Sequence, residues 1–182
     1  VTIVLVAHDP AWAHQFVVAS SQVRVATGSW ATRIDHIGST SVPDLVAKPV
    51  IDVQVSTGDP SQLDDPAHPV RHRLLSVGYE LVLDNDDRRK RFLRRRANGP
   101  DINLHVRRDG CVSQQQALLF RDYLRADESA RRRYGDQKSR LARRRWPSVD
   151  HYADAKSDIV WALLREADRW SWSGWRPGAS DA

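Results

Sequence analysis

The sequence predicts an α+β fold: a mixed sheet of about five strands with flanking helices over residues 1–110, followed by a helical region over 111–182 packed on it as one compact unit. Two patterns predict it. Short segments at 33–37, 50–55, 79–83, 90–95 and 101–106 have strand character, cleanest where apolar and polar residues alternate at 50–55 and 101–106. From Ser113 onward the spacing changes to that of helices, in pieces of about 113–125, 128–145 and 148–171.

In order along the chain, Asp9 suits an N-cap and Pro10 a first helical position, opening a helix to about Thr27 with Trp12, Phe16 and Val23 on its apolar side. Gly28 and Ser29 end it. Strand 33–37 leads into a Gly-Ser turn, a loop bounded by Pro43 and Pro49 leads into strand 50–55, and the proline- and aspartate-rich stretch 58–69 precedes a helix over 70–77 with Gly78 as its C-cap. Turns DNDD at 84–87 and NGP at 98–100 separate the next three strands. Asp127 and Ser148 suit helix caps, and Pro147 divides the last two helical pieces. The tail WSWSGWRPGASDA is expected to fray, with Trp170, Trp172 and Trp175 as candidates for a plug folded back on the core.

Apolar residues at 41% and charged residues at 28% place the chain among globular proteins, and no run approaches the roughly 18–20 apolar residues of a membrane span. The opening VTIVLVA has no basic flank and is too short for a secretory core, which predicts a cytoplasmic protein. The lone Cys111 cannot form an intramolecular disulfide, and its place beside Asp109 and Gly110 reads as a turn rather than a nucleophile. Arginine outnumbers lysine 24 to 4, and with methionine absent this matches a GC-rich genome of actinobacterial type. The net charge of +5 gathers at 88–96, 131–133 and 140–145. The two helical clusters read as solvated, salt-bridged faces, while 88–96 keeps phosphate contact open. The clusters lack the interleaved aromatics of a base-stacking surface, which argues against nucleic acid as a partner.

The chemistry concentrates in RIDHIGSTSVPDLVAKPVIDVQV at 33–55. Gly38 and Ser39 offer backbone N–H groups to phosphate oxygens with little side-chain bulk. In the next strand Val50, Asp52 and Gln54 share one face, and a carboxylate in an otherwise apolar strand calls for a partner such as a hard divalent cation. On 101–107, Asp101, Asn103, His105 and Arg107 share a polar face. It reads either as a solvent-facing stripe or as a second supplier of site residues.

The segments HIGSTSVP and AKPVIDVQV, with HDPAWAHQF, NLHV, FRDYLRAD, Tyr134 and Lys138, and YADAKSDI, resemble the GrpB family, a branch of the nucleotidyltransferase superfamily. The resemblance covers nearly the whole chain. It implies a nucleotidyltransferase-like sheet and an enzyme that uses Mg²⁺ with ATP or another NTP to transfer a nucleotidyl group to a small-molecule acceptor, or that adenylylates and then ligates. Under it, Asp52 and His105 would hold metal, His105 and Asn103 would orient or deprotonate the acceptor, and Gly38, Ser39, Thr40 and Lys48 would bind phosphates. His36 either contacts a phosphate or hydrogen-bonds across the sheet; Arg107, Arg121 and Lys138 are further candidate phosphate ligands. Tyr123 and Lys156 belong to the same motifs, although FRDYLR equally has the spacing of core packing. The superfamily pattern expects a second acid two residues after Asp52, where this chain has Gln54. That departure supports an alternative: a non-catalytic nucleotide- or CoA-related accessory module, since family-like domains also occur joined to dephospho-CoA kinase.

Overall fold

The computed structural model describes residues 1–82, 90–96 and 99–182, so the turn at 84–87, Asn98 of the turn at 98–100, and Arg88 and Arg89 of the first basic cluster lie outside the described residues. Helix α1 (Ala11–Thr27) starts where the Asp9 carboxylate accepts the Ala11 N–H at 2.9 Å. Its buried Trp12, Phe16 and Val23 form the predicted apolar side. Strand β1 (Arg33–Ile37) runs to Gly38 and a 3-10 turn at Ser39–Ser41; β2 (Val50–Thr57) follows. Helix α2 is Pro69–Ser76, with Gly78 at φ +89° closing it. Then come β3 (Glu80–Val82), β4 (Lys90–Arg95) and β5 (Asp101–Arg108). The helical region contains α3 (Val112–Ala126), α4 (Glu128–Ala142), α5 (Val149–Asp154) and α6 (Ser157–Ser171).

The five strands form one mixed sheet in the order β1-β2-β5-β4-β3, in which β2 and β5 are parallel and every other pair is antiparallel. The β2–β5 register sets Asp52 opposite Asn103 and Gln54 opposite His105. One face of the sheet packs Ile34, Ile51, Val53, Val55, Ile102, Leu104 and Val106 against Trp12, Phe16, Val23, Val70 and Leu74 of α1 and α2. The opposite face carries Asp52, Asn103 and His105 into a cleft below α3, α4 and α5. A second core joins Val42 and Leu45 of the β1–β2 loop to Tyr123, Leu124, Ala130, Tyr134, Leu163 and Ala167 of α3, α4 and α6. No described helix is long and apolar enough to cross a membrane.

Three expectations need correction. The helix expected over 148–171 is two helices that break at Ala155 and Lys156, which sets Lys156 at the cleft. Strand β3 is described for three residues only, while β2 and β5 each run two residues further than expected. The tail does not fray. Ser180 and Asp181 lie along the outer edge of β1: the Ser180 hydroxyl accepts the Ile34 N–H at 2.9 Å, Asp181 N donates to Ile34 O at 3.1 Å, and the Asp181 carboxylate accepts the His36 N–H at 2.9 Å. An edge strand with open backbone groups is thereby covered. Of the three tryptophans, Trp170 packs on the second core and Trp175 donates to Asp122, but Trp172 is exposed.

Among the described residues, the arginine clusters at 90–96 and 131–133 are largely committed within the chain. Arg91 pairs with Asp64, Arg95 donates to Gln22 at 2.7 Å, Arg96 donates to Asn103 at 2.6 Å, and Arg133 pairs with Glu166. The Asp181 carboxylate also pairs with Arg121, which is 4% exposed, at 2.8 Å. Asp181→Ala removes a charge partner of this buried guanidinium together with the His36 N–H acceptor, and is expected to cost about 1–3 kcal/mol. Urea unfolding measures this, and an unchanged midpoint would show that the tail merely lies on the edge.

Candidate functional site

Gly38 turns the chain out of β1 at φ +71°, a conformation open to glycine and strained for other residues. It also lies so close to β2 that a Cβ there would sit 2.9 Å from Asp52 Cβ and Cγ and closer still to Oδ2. The turn is clamped from outside the sheet: Lys138 of α4 donates to Ser39 Oγ at 2.7 Å and to the Val46 carbonyl, and Arg125 of α3 donates to Ser41 O at 2.9 Å. The Ser41 hydroxyl closes the turn on Gly38 O at 2.6 Å.

Asp52 Oδ1 accepts Asn103 Nδ2 at 2.8 Å and faces His105 Nε2 at 3.1 Å. Burial alone would raise this carboxyl, but the His105 and Asn103 hydrogen bonds and the charges of His105 and Lys48 hold it below the usual carboxylate value. It is therefore an anion at neutral pH. The His105 ring also packs beside Phe92, centroids 5.2 Å apart. An ionised carboxylate can only accept, so Nε2 carries the hydrogen of this contact, and in the neutral form of the ring Nδ1 is the acceptor.

Two adjoining cavities meet over Gly38, Ser39, Asp52, His105, Tyr134 and Lys156. The smaller, about 310 Å³, also takes in Lys48, Asn103 and Lys138, so three of the chain's four lysines surround it. The larger, about 410 Å³, is walled by Ile37, Val42, Ala117, Phe120 and Leu124 and reaches Arg107 and Arg121. Burial, then the neighbouring lysines, push Lys138 down to about 7 against the pull of Asp52. Burial and Lys48 likewise push Lys156 down to about 8. Lys156 lies over the Tyr152 ring at 4.6 Å.

The structure thus brings Gly38, Ser39, Lys48, Asp52, Asn103, His105, Arg107 and Lys138 together around one cleft. Other expected residues are engaged elsewhere. His36 stacks on Phe16 at 4.6 Å, shares a hydrogen bond with Thr40 at 3.1 Å, and is pushed down to about 4 by burial and by Arg125, so it is a neutral core residue rather than a phosphate ligand. Thr40 does line the smaller cavity, but its hydroxyl faces His36 and donates to Val50 O at 3.3 Å. Arg121 borders the larger cavity but is held by Asp122, Asp181 and the His36 carbonyl. Gln54 is fully buried, accepts from Arg107 and reaches Gln114 O at 3.5 Å, so it does not line the cleft as a ligand. Tyr123 donates to Glu166 at 3.0 Å, away from the cleft.

Sequence reasoning placed Lys156 in a family-like motif without giving it a role, and left Tyr134, Tyr152 and Phe120 out of the site. For Lys156 a signal existed: lysine is scarce in this chain, the argument that singled out Lys48, and it applies equally to Lys138 and Lys156. Phe120, Tyr134 and Tyr152 also fall within the segments that carry the family resemblance, but their spacing is that of core residues.

The family model for GrpB protein matches residues 2–166. A UPF0157 protein of Halalkalibacterium halodurans is 39% identical over 169 residues, covering 92% of this chain and 83% of that protein; one from Streptomyces coelicolor is 35% identical over 160 residues, covering 88% and 81%. The dephospho-CoA kinase of Mycobacterium tuberculosis matches at 33% identity, covering 95% of this chain and 48% of the kinase. Among solved structures, conserved protein GrpB from Enterococcus faecalis superposes with a TM-score of 0.81 at 28% identity, covering 93% of this chain and 99% of that one. The Cid1 poly(U) polymerase, solved with Mg 3'-dATP, has a TM-score of 0.53 at 12% identity, covering 74% and 43%, a likeness of fold alone. The fold is therefore nucleotidyltransferase-like, and the chain belongs to the GrpB family.

Proposed function

We propose that the protein is a nucleotidyltransferase that uses Mg-NTP to modify a small-molecule acceptor. The observation that carries this reading is the junction of the two cavities, where the glycine turn packs directly on an ionised aspartate and three lysines surround the adjoining lobe. Magnesium fits this donor set, because it binds through one or two carboxylates and completes its shell with substrate phosphates and water. Asp52 would hold it, and it would offset phosphate charge at the reacting centre. Lys48, Lys138 and Lys156 counter the remaining triphosphate charge, and the Ser39 turn offers its backbone N–H groups. His105, fixed by Asp52, takes the proton of the acceptor's hydroxyl or amine as that group attacks the α-phosphorus. The bond from the α-phosphorus to the bridging oxygen breaks, and pyrophosphate leaves. Adenylylation followed by ligation uses the same first step.

Binding of Mg-NTP is expected to stabilise the fold by about 2.7 kcal/mol at 100 times its Kd. Lys138 and Lys156 carry a pH signature. Both have folded values below the ordinary lysine value, so their contribution to stability is fullest above that value and is lost as pH falls through about 8 and about 7. A bound triphosphate raises both, so binding near pH 8 takes up protons. Titration calorimetry in buffers of different ionisation enthalpy measures the uptake. Melting temperatures that stay flat across ATP, GTP, CTP and UTP with Mg²⁺ would defeat the proposal.

A second reading, a non-catalytic nucleotide- or CoA-related accessory module, is favoured by one observation: Gln54 occupies the place of a second acid and is tied to Arg107. Nucleotide binding without turnover on any acceptor would support it.

A further inference from the structure

The larger lobe of the cleft has a composition unlike its neighbour. Its walls are Ile37, Val42, Ala117, Phe120 and Leu124, and it reaches two arginines. Arg121 is neutralised by Asp122 at 2.7 Å and Asp181 at 2.8 Å. Arg107 is different. Its hydrogen-bond partner is the uncharged side chain of Gln54, no carboxylate forms an ion pair with it among the described residues, and burial works against its charge. A half-buried guanidinium held in place by a neutral amide is poised for an oxyanion, which it can bind bidentately.

The position of the lobe states what it would receive. Asp52 and His105 border both cavities, so chemistry at these residues is reached from either side. The lysine-rich lobe suits the triphosphate, which leaves the apolar lobe for the second reactant. Resting on the nucleotidyltransferase reading, we infer that the larger lobe is the acceptor subsite, and that the acceptor is an amphipathic organic anion. Its carboxylate or phosphate sits on Arg107 and its apolar body lies against Phe120 and Leu124. Gln54 is then a positioning residue for Arg107, which gives a neutral residue a use at the place where the superfamily pattern has an acid.

Octanoate, octyl phosphate and octanol are suitable probes, titrated calorimetrically into the whole protein. At least one of the two anions is expected to bind once per chain and at least about tenfold more tightly than octanol; which of them binds better separates a carboxylate handle from a phosphate handle. Arg107→Gln should abolish the preference over octanol, and Arg107→Lys should restore part of it. Ala117→Phe, which fills the lobe from α3, should block the anion while leaving Mg-ATP affinity within a few fold. Saturating Mg-ATP should leave the anion's affinity within a few fold. Octanol binding as tightly as both anions, absence of anion binding, wild-type preference in Arg107→Gln, or displacement of the anion by Mg-ATP would each overturn the assignment. Failure of the nucleotide reading has a separate signature, the absence of any Mg-NTP effect on melting, and does not alter the Arg107 readout.

Discussion

Gly38→Ala is expected to lose about 1–3 kcal/mol of stability and roughly 10–100-fold of Mg-dependent nucleotide affinity. The two losses have separate causes. A residue with a Cβ pays for the positive φ of this position, and the same Cβ, 2.9 Å from Asp52 Cβ and Cγ, must push the carboxylate out of its place against Asn103 and His105. Urea unfolding reads the first and calorimetric titration of Mg-ATP the second. A variant that keeps wild-type affinity would show that the turn does not set the carboxylate's position. Full stability would mean that the backbone relaxes without cost.

Asp52→Asn is expected to reduce metal-dependent nucleotide affinity by at least about 100-fold, because a magnesium site with one protein carboxylate has no second charge to fall back on. Shape is kept, and Asn103 can still donate to the amide oxygen, so the fold should persist. The wild-type carboxyl is held below its ordinary value, so it contributes stability above that value and loses it as pH falls through the depressed one. The asparagine variant should lack this acid-dependent component. Titrations of ATP with and without Mg²⁺ test the first point. Equal metal dependence in the variant would make Asp52 a structural anion.

Much of this was legible in the sequence, for local reasons. Asp9 and Pro10 mark the start of α1 through chemistry confined to three residues, and alternation over 101–106 assigns β5 and separates its buried from its polar face. Asp52 stands out because a carboxylate in an apolar strand is expensive unless partnered. What could not be read depends on distant partners. The break at Ala155 and Lys156 contains neither glycine nor proline, and the tail's attachment uses backbone groups of β1 some 145 residues away. His36 is an intermediate case. A period of two puts it on the face of Ile34, toward α1, while its place beside the turn kept phosphate contact open as an equal alternative; the stack on Phe16 decides for the core. The tie between Gln54 and Arg107 is a cross-strand pair that no motif encodes.

Lys138 links Ser39 and Val46, residues 99 and 92 positions away, to α4. One ammonium thereby makes the shape of the phosphate turn depend on how a helix from the far half of the sequence is seated. Substitutions on the inner side of α4 and in the 38–46 loop should therefore be non-additive, with the loss at one position altered by what stands at the other. In a library that varies both segments, functional combinations would be inherited as pairs, and a graft that carried only the strands and their loop would bring the aspartate without the clamp that shapes its surroundings.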